Sequence, residues 1–227
     1  VMQNVYDPER SLTCGRGNLS FTSINLPRVG IEAKGDIDKF FEILDERIEL
    51  ISEQLMHRFK IQCSKKAYNY PFLMGQGIWM DSEKLQRNDS VEEVLKHGTL
   101  SVGFIGLAET LKALTGKHHG ESEESYDLGI KIVKYMRDRM DTLSNETKLN
   151  WSLLATPAEG LSGRIDKIDQ KKYGVIEGVT DRDYYTKSFH VTVYYGIKAF
   201  EKIKKEAPIH ASTNEGHISH VELDGDV

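Results

Sequence analysis

The sequence predicts an α/β fold of parallel strands joined by helical crossovers. Three observations carry this expectation: short runs with strand periodicity recur along the chain, amphipathic stripes lie between them, and the two kinds alternate. No internal repeat, low-complexity tract or Pro- or Ser-rich linker interrupts the pattern, so residues 1–227 read as one segment without a second domain.

The first strand is Leu19–Leu26, where apolar and polar side chains alternate with the period of a half-buried strand, and Pro27 ends it. Asp36 is placed to cap a long helix, because Phe40, Phe41, Leu44, Ile48, Ile51, Leu55 and Phe59 recur at steps of three and four. Residues 68–80 are aromatic and broken by glycine, which predicts a loop. Ser90-Val91-Glu92-Glu93 has the pattern of a capping box and starts a short helix to about Lys96. Leu100–Gly106 reads as a buried strand and turn, followed by a helix from Leu107 to Leu114 that Gly116 ends. Ser122, with Glu123 and Glu124, opens another helix whose stripe is Ile132, Val133, Met136, Met140 and Leu143. Trp151–Ala155 is a third strand, and His190–Tyr194 and His217–Leu223 read as a fourth and fifth.

Composition excludes several classes. With 39% hydrophobic and 29% charged residues the chain is globular, and no apolar run approaches the roughly 18 residues of a membrane span. A net charge of −5, with Lys and Arg dispersed, argues against a surface that coats nucleic acid. Two cysteines, Cys14 and Cys63, make neither a disulfide framework nor a zinc motif, so a reducing cytoplasm is expected. The start, Val1-Met2-Gln3, lacks the regions of a signal peptide and reads as a cut end.

The sharpest chemical signal is Thr156-Pro157-Ala158-Glu159. Thr suits an N-cap, Pro the first helical position, and Glu three residues after Thr completes a capping box. A helix starting there, at the carboxyl end of a strand, either binds a phosphate on its free N–H groups or is simply a well-made helix start. Gly15-Arg16-Gly17-Asn18 lets the backbone approach something closely and offers a short amide; the alternative is a tight turn feeding the strand. Gly103-Phe104-Ile105-Gly106 is another site of close approach but lacks the remainder of a dinucleotide fingerprint. The histidines have no metal-ligand spacing, and neither a Walker loop nor a nucleophile elbow occurs.

Several segments together resemble the large subunit of anaerobic (class III) ribonucleoside-triphosphate reductases. They are residues 15–28, Ser101–Glu109, Leu154–Arg164, Thr180–Thr186, Ser188–Val191, Glu206–Pro208 and the run from Gly216 to Asp224, in the family's order and at family-like spacing. The resemblance implies half of a ten-stranded glycyl-radical-type α/β barrel. It also implies a function: converting ribonucleoside triphosphates to 2′-deoxyribonucleotides for DNA replication, by thiyl and glycyl radicals with formate as reductant. Implied partners are a radical-SAM activating enzyme and a homodimer partner, with no nucleic acid and no membrane.

By the same resemblance Asn18 matches an active-site asparagine and is the catalytic candidate, with Ser23 and Asn25 beside it in the pocket. Thr156, Pro157, Ala158 and Glu159 match the turn expected to face substrate phosphates. The family's radical cysteine sits in a Met-Gly-Cys-Arg-like segment that these residues do not include, and Cys14 is not assigned that role. The glycyl loop and four-cysteine zinc site also fall outside the segment, so the chain alone is expected to be inactive. Gly160 and Lys187 stand where the family has Asn, and Ile165 where it has Phe. The alternatives are a piece of another glycyl-radical enzyme acting on a small acid or alcohol, and a non-catalytic assembly module.

Overall fold

Strand β1 (Asn18–Asn25) opens the regular structure of the protein, a computed structural model that describes residues 4–221. Pro27 does more than end it. The chain passes directly into helix α1 (Leu26–Ala33), because the Asn25 side chain accepts the Arg28 N–H and proline is tolerated in a first turn. This helix was not expected from the sequence. Helix α2 (Ile37–Cys63) follows, and the Asp36 carboxylate accepts the Lys39 N–H at 3.0 Å as an N-cap should. Of its predicted stripe, Phe40, Leu44, Ile48, Leu55 and Phe59 are buried.

The segment after α2 is irregular, with 3-10 turns at Ala67–Asn69 and Ser82–Lys84, and ends in the short helix α3 (Glu92–Leu95). Strand β2 (Thr99–Ile105) is buried along its whole length. Helix α4 (Leu107–Thr115) begins after Gly106, whose φ of 79° favours glycine, and ends at Gly116. In helix α5 (Glu123–Thr147), capped by the Ser122 hydroxyl, Ile132, Val133, Met136 and Met140 point into the core. Strand β3 (Asn150–Ala155) then leads to helix α6 (Glu159–Tyr173), and helix α7 (Ala199–His210) closes the described regular structure. The three strands form one parallel sheet in the order β1-β2-β3.

The two late strands did not form as expected. Residues 190–194 are irregular: the Val191 N–H goes to the Glu206 carboxylate and the Tyr195 N–H to the Thr192 carbonyl, so no ladder is available. Of the fifth strand expected at His217–Leu223, the described residues 217–221 form no ladder, and a parallel bridge pairs Leu154 with the preceding Gly216; Glu222 and Leu223 lie outside the described residues, as does Asp224 at the end of the resembling run.

Chain packing divides the molecule into two units. The first takes the described residues up to Thr22, Glu49–Val102 and Asp138–Ser152; the second takes Ser23–Ile48, Gly103–Arg137 and the described residues from Leu153 on. In the first, Trp79 is buried and donates its indole N–H to the Val94 carbonyl at 2.6 Å, and Asn150 is a buried hub. Its amide nitrogen donates towards Asn4 and the Lys96, His97 and Gly98 carbonyls, while its oxygen accepts the Val5 N–H. In the second, α1 packs on α4. Gly30 lets them approach, since a methyl group there would sit 3.1 Å from the Thr110 carbonyl oxygen and 3.3 Å from Ala113.

Candidate functional site

Within the first unit, the Gly15–Asn18 turn resolves in favour of close backbone approach. Gly15 has φ +77°, its carbonyl accepts the Met80 N–H at 2.5 Å, and the Gly17 carbonyl accepts the Thr99 N–H at 3.0 Å. Asn18 is exposed at the head of β1. Its amide donates to the Ser101 hydroxyl at 2.5 Å, and Ser101 in turn shares a hydrogen bond of 2.8 Å with Ser152. Three strands thus fix one amide. The sequence had no signal for Ser101 and Ser152 as partners, because strand register is not written in local residue pattern.

The second unit holds the other candidates. Ser23 and Thr156 share a hydrogen bond of 2.8 Å between their hydroxyls. Gly103 makes room for it, since a methyl group there would collide with both oxygens. Asn25 caps α1 and donates to Asp169 at 2.6 Å, so its amide is spent on structure at both ends.

The capping box at Thr156 did not form. Thr156 is buried and its hydroxyl is taken by Ser23, while Ala158 adopts a left-handed backbone with φ 65° and Glu159 one with φ 28°. Those angles break the helical run, so α6 starts at Glu159 with no side-chain cap. What results is a turn with Pro157, Glu159 and Gly160 exposed and Ala158 buried in a cluster with Ile105 and Tyr185.

A strap, Thr186–Ser188, runs beneath this turn. The Ser188 hydroxyl donates to the Thr156 carbonyl at 2.9 Å, and the strap carbonyls of Thr186 and Ser188 accept the Gly106 and Leu107 N–H groups at the start of α4. Glu109 takes both the Thr186 N–H and hydroxyl, at 2.9 and 2.6 Å, and burial raises its carboxyl pKa. On the buried face of α6, Asp169 is fully buried and accepts from Asn25, Arg28 and Tyr185. Asp166 is buried nearby, and burial together with Asp169, Asp183 and Asp181 pushes it up to about 6.

Beside the turn opens a cavity of about 660 Å³, bordered by Gly160, Ser162, Lys187, His190, Lys202 and His220. His190 lies against Glu206 at 3.1 Å; although burial opposes it, that contact and the Val191 amide hold the Glu206 carboxyl below its usual range. Sequence reasoning missed Lys202, His220 and α7 itself. The buried residues of that helix include Lys202 and Glu206, so it shows no apolar stripe, and Pro208 sits in its last turn. Among the described residues no group of three or more His, Cys, Asp or Glu is placed to hold a metal ion, and no helix is long and apolar enough to cross a membrane.

Comparison with known proteins shows the family of the chain. The family model described as anaerobic ribonucleoside-triphosphate reductase matches residues 3–227. The chain belongs to that family. It is 40% identical over 211 residues to the anaerobic ribonucleoside-triphosphate reductase of Salmonella typhimurium, covering 92% of this chain and 29% of that protein. To the enzyme of Enterobacteria phage T4 it is 37% identical over 215 residues, covering 34% of that protein. The chain therefore spans about a third of the length of these reductases.

Among solved structures, an anaerobic ribonucleotide reductase superposes with a TM-score of 0.72 at 18% identity, over 94% of this chain and 31% of the other. The Thermotoga maritima reductase in complex with dATP and CTP superposes at 0.66 and 17% identity, over 88% and 32%. At such identities the likeness concerns the fold, and it makes the α/β arrangement part of the anaerobic reductase barrel.

Proposed function

We propose that the chain is a single segment of the catalytic barrel of a cytoplasmic ribonucleoside-triphosphate reductase, contributing to the substrate pocket. The observation that supports this best is the family match across residues 3–227, which includes both Asn18 and the Thr156–Glu159 turn. What the family's glycyl and thiyl radicals supply is removal of the 3′-hydrogen of the ribose, with formate as the source of electrons while water leaves C2′. The radical residues, the zinc site, the activating enzyme and the dimer partner are assigned to the larger assembly.

The residues of this chain bind and orient. Asn18, held by Ser101, hydrogen-bonds the ribose hydroxyls and keeps the reacting hydrogen in line, since a displacement near 1 Å can cost on the order of a hundredfold in rate. Ser23 fixes Thr156, and so fixes the turn. Pro157, Ala158 and Glu159 shape it, and the exposed backbone at Gly160 is where the substrate phosphates rest. Asn25 contributes indirectly, by tying the end of β1 to Asp169 of α6.

Hydrogen exchange on the chain, with and without CTP, tests this reading. Protection of the amides from Thr156 to Ser162 is expected. An exchange pattern that a nucleoside triphosphate leaves unchanged at this turn would sink it. The alternative enzyme, acting on a small acid or alcohol, needs no phosphate contact there.

A further inference from the structure

A second cavity, of about 510 Å³, is bordered by α4, the loop after it and the irregular chain between α6 and α7, and shares no residue with the cavity beside the β3–α6 turn. Glu109 borders it from α4 and is 9% exposed. Its Oε1 accepts both the Thr186 N–H and hydroxyl, while Oε2 makes no hydrogen bond among the described residues. Burial, with the charge of Asp166 added, raises the Glu109 carboxyl pKa against the pull of the Thr186 donors and of its own backbone N–H.

The other charges of the cavity do not answer that oxygen. Lys112 is spent on Glu121, with Nζ at 3.0 and 2.9 Å from its two oxygens, and its stem lies against Gly178, where a methyl group would sit 3.3 Å from Cδ. His118 adds no positive charge, because burial lowers its pKa and Nδ1 accepts the Gly120 N–H at 3.0 Å. Arg182 lies over the Tyr194 ring, 4.3 Å from its centroid. Glu177 and Asp181 are exposed at the rim, and their carboxylates make neither an ion pair nor a hydrogen bond among the described residues. Once Lys112 and Glu121 cancel, the three carboxyl groups of Glu109, Glu177 and Asp181 share the cavity with the single guanidinium of Arg182.

A buried carboxyl oxygen without a partner is costly, and a cation brought to it removes that cost. The volume is that of a site for a small organic molecule. Tyr194 and Tyr195 supply ring faces that attract cations, as the Arg182 contact already shows. Among the described residues no acidic group is placed to hold a metal ion, whereas an alkyl chain carrying ammonium groups can lie along the rings and reach carboxyl groups at both the buried side and the rim.

We infer that this cavity binds an organic cation of the diamine or polyamine class, with one ammonium on Glu109 Oε2, a second at the rim on Glu177 and Asp181, and the methylene chain against Tyr194 and Tyr195. The inference goes beyond the proposed function, since none of the residues assigned there to the substrate borders this cavity.

The test is titration calorimetry on the 227-residue chain with putrescine and spermidine, using the uncharged diol of putrescine's length and magnesium chloride as controls. Both amines should bind and the diol should not. Glu109→Gln keeps an acceptor for Thr186 but loses the charge, and should weaken both amines about tenfold, the worth of one charge-assisted contact. The double variant Glu177→Gln with Asp181→Asn should weaken them about threefold or more, less than a buried contact because these groups are exposed. Circular dichroism checks folding. If Glu109→Gln does not fold, the double variant decides, since it alters exposed positions only. The inference is overturned if the wild-type chain binds neither amine, if the diol binds as well as putrescine, or if magnesium at equal charge displaces spermidine. Undiminished affinity in the double variant, or in folded Glu109→Gln, overturns it equally.

Discussion

Replacing Arg28 with methionine should destabilise the chain by about 2–3 kcal/mol, because it strands a buried carboxylate. Asp169 is fully buried, and Arg28 approaches it with two nitrogens, Nε at 2.7 Å and Nη2 at 2.5 Å. Burial acts to lower the guanidinium pKa, yet the Asp169 contacts prevail and raise it. Removing one partner of a buried pair typically costs about 3–5 kcal/mol, and the guanidinium's exposure of 32% lowers the expectation here. Two neutral donors remain, Asn25 at 2.6 Å and Tyr185 at 2.9 Å, and they solvate the carboxylate only in part.

The assay is urea unfolding of wild type, Arg28→Met, Asp169→Asn and the double variant, followed by circular dichroism. Because the double variant has no orphaned charge, it should be more stable than Arg28→Met alone, and the cycle isolates the pairwise interaction. A loss below about 1 kcal/mol in Arg28→Met, or a double variant weaker than that single, would refute the reasoning.

Three further outcomes follow from the titrating and sulfur groups. Asp166 is raised to about 6 by burial and by Asp169, Asp183 and Asp181, so folding takes up a proton between the unfolded value and 6, and stability falls as pH rises through that window. Asp166→Asn should add roughly 2 kcal/mol above pH 7 and nothing near pH 3, read from urea midpoints against pH. His119 behaves oppositely: burial first, then His118, lower it to about 3, so the native state stays neutral while the unfolded chain protonates below about 6.5. His119→Leu should therefore remove roughly 4 kcal/mol of the stability loss between pH 7 and 3, and an unaltered acid limb would contradict the assignment. Burial pushes the Cys63 thiol up to about 11, whereas Cys14 is exposed, so a thiol reagent should label one cysteine of the native chain, Cys14 by peptide mapping, and two in urea.

Periodicity made the helices α2, α4 and α5 legible, because a stripe such as Ile132, Val133, Met136 and Met140 is both the cause of burial and a pattern in the sequence. Where burial is polar, the pattern disappears. Helix α7 hides Lys202 and Glu206 rather than leucines, and α6 hides Asp166 and Asp169, so neither inner face looks apolar.

Turns failed for another reason. Thr156-Pro157-Ala158-Glu159 has every residue of a capping box, but a hydroxyl 133 positions earlier in the sequence, that of Ser23, claims the capping threonine. Local chemistry lost to a tertiary bond. Asn18 was visible as an amide in a Gly-rich turn, yet its role depends on Ser101 and Ser152, which strand pairing alone brings together.

The backbone itself marks where those tertiary bonds converge. Among the described residues six non-glycine residues have left-handed φ, and three of them, Ala158, Glu159 and Ser188, lie in the β3–α6 turn and the strap bonded to it. Such residues cost on the order of 1 kcal/mol each and persist only where their surroundings over-determine them. Here the surroundings are identifiable. Ser188 is held by its bond to Thr156 and by the Leu107 N–H, Thr186 by Glu109, and Ala158 by packing on Ile105 and Tyr185. A sequence selected only for a stable crossover would place glycine at such positions, as this chain does at Gly106 and Gly116. Keeping side chains instead stiffens the turn against the conformations glycine would allow, and that stiffness suits the phosphate-binding role proposed for it.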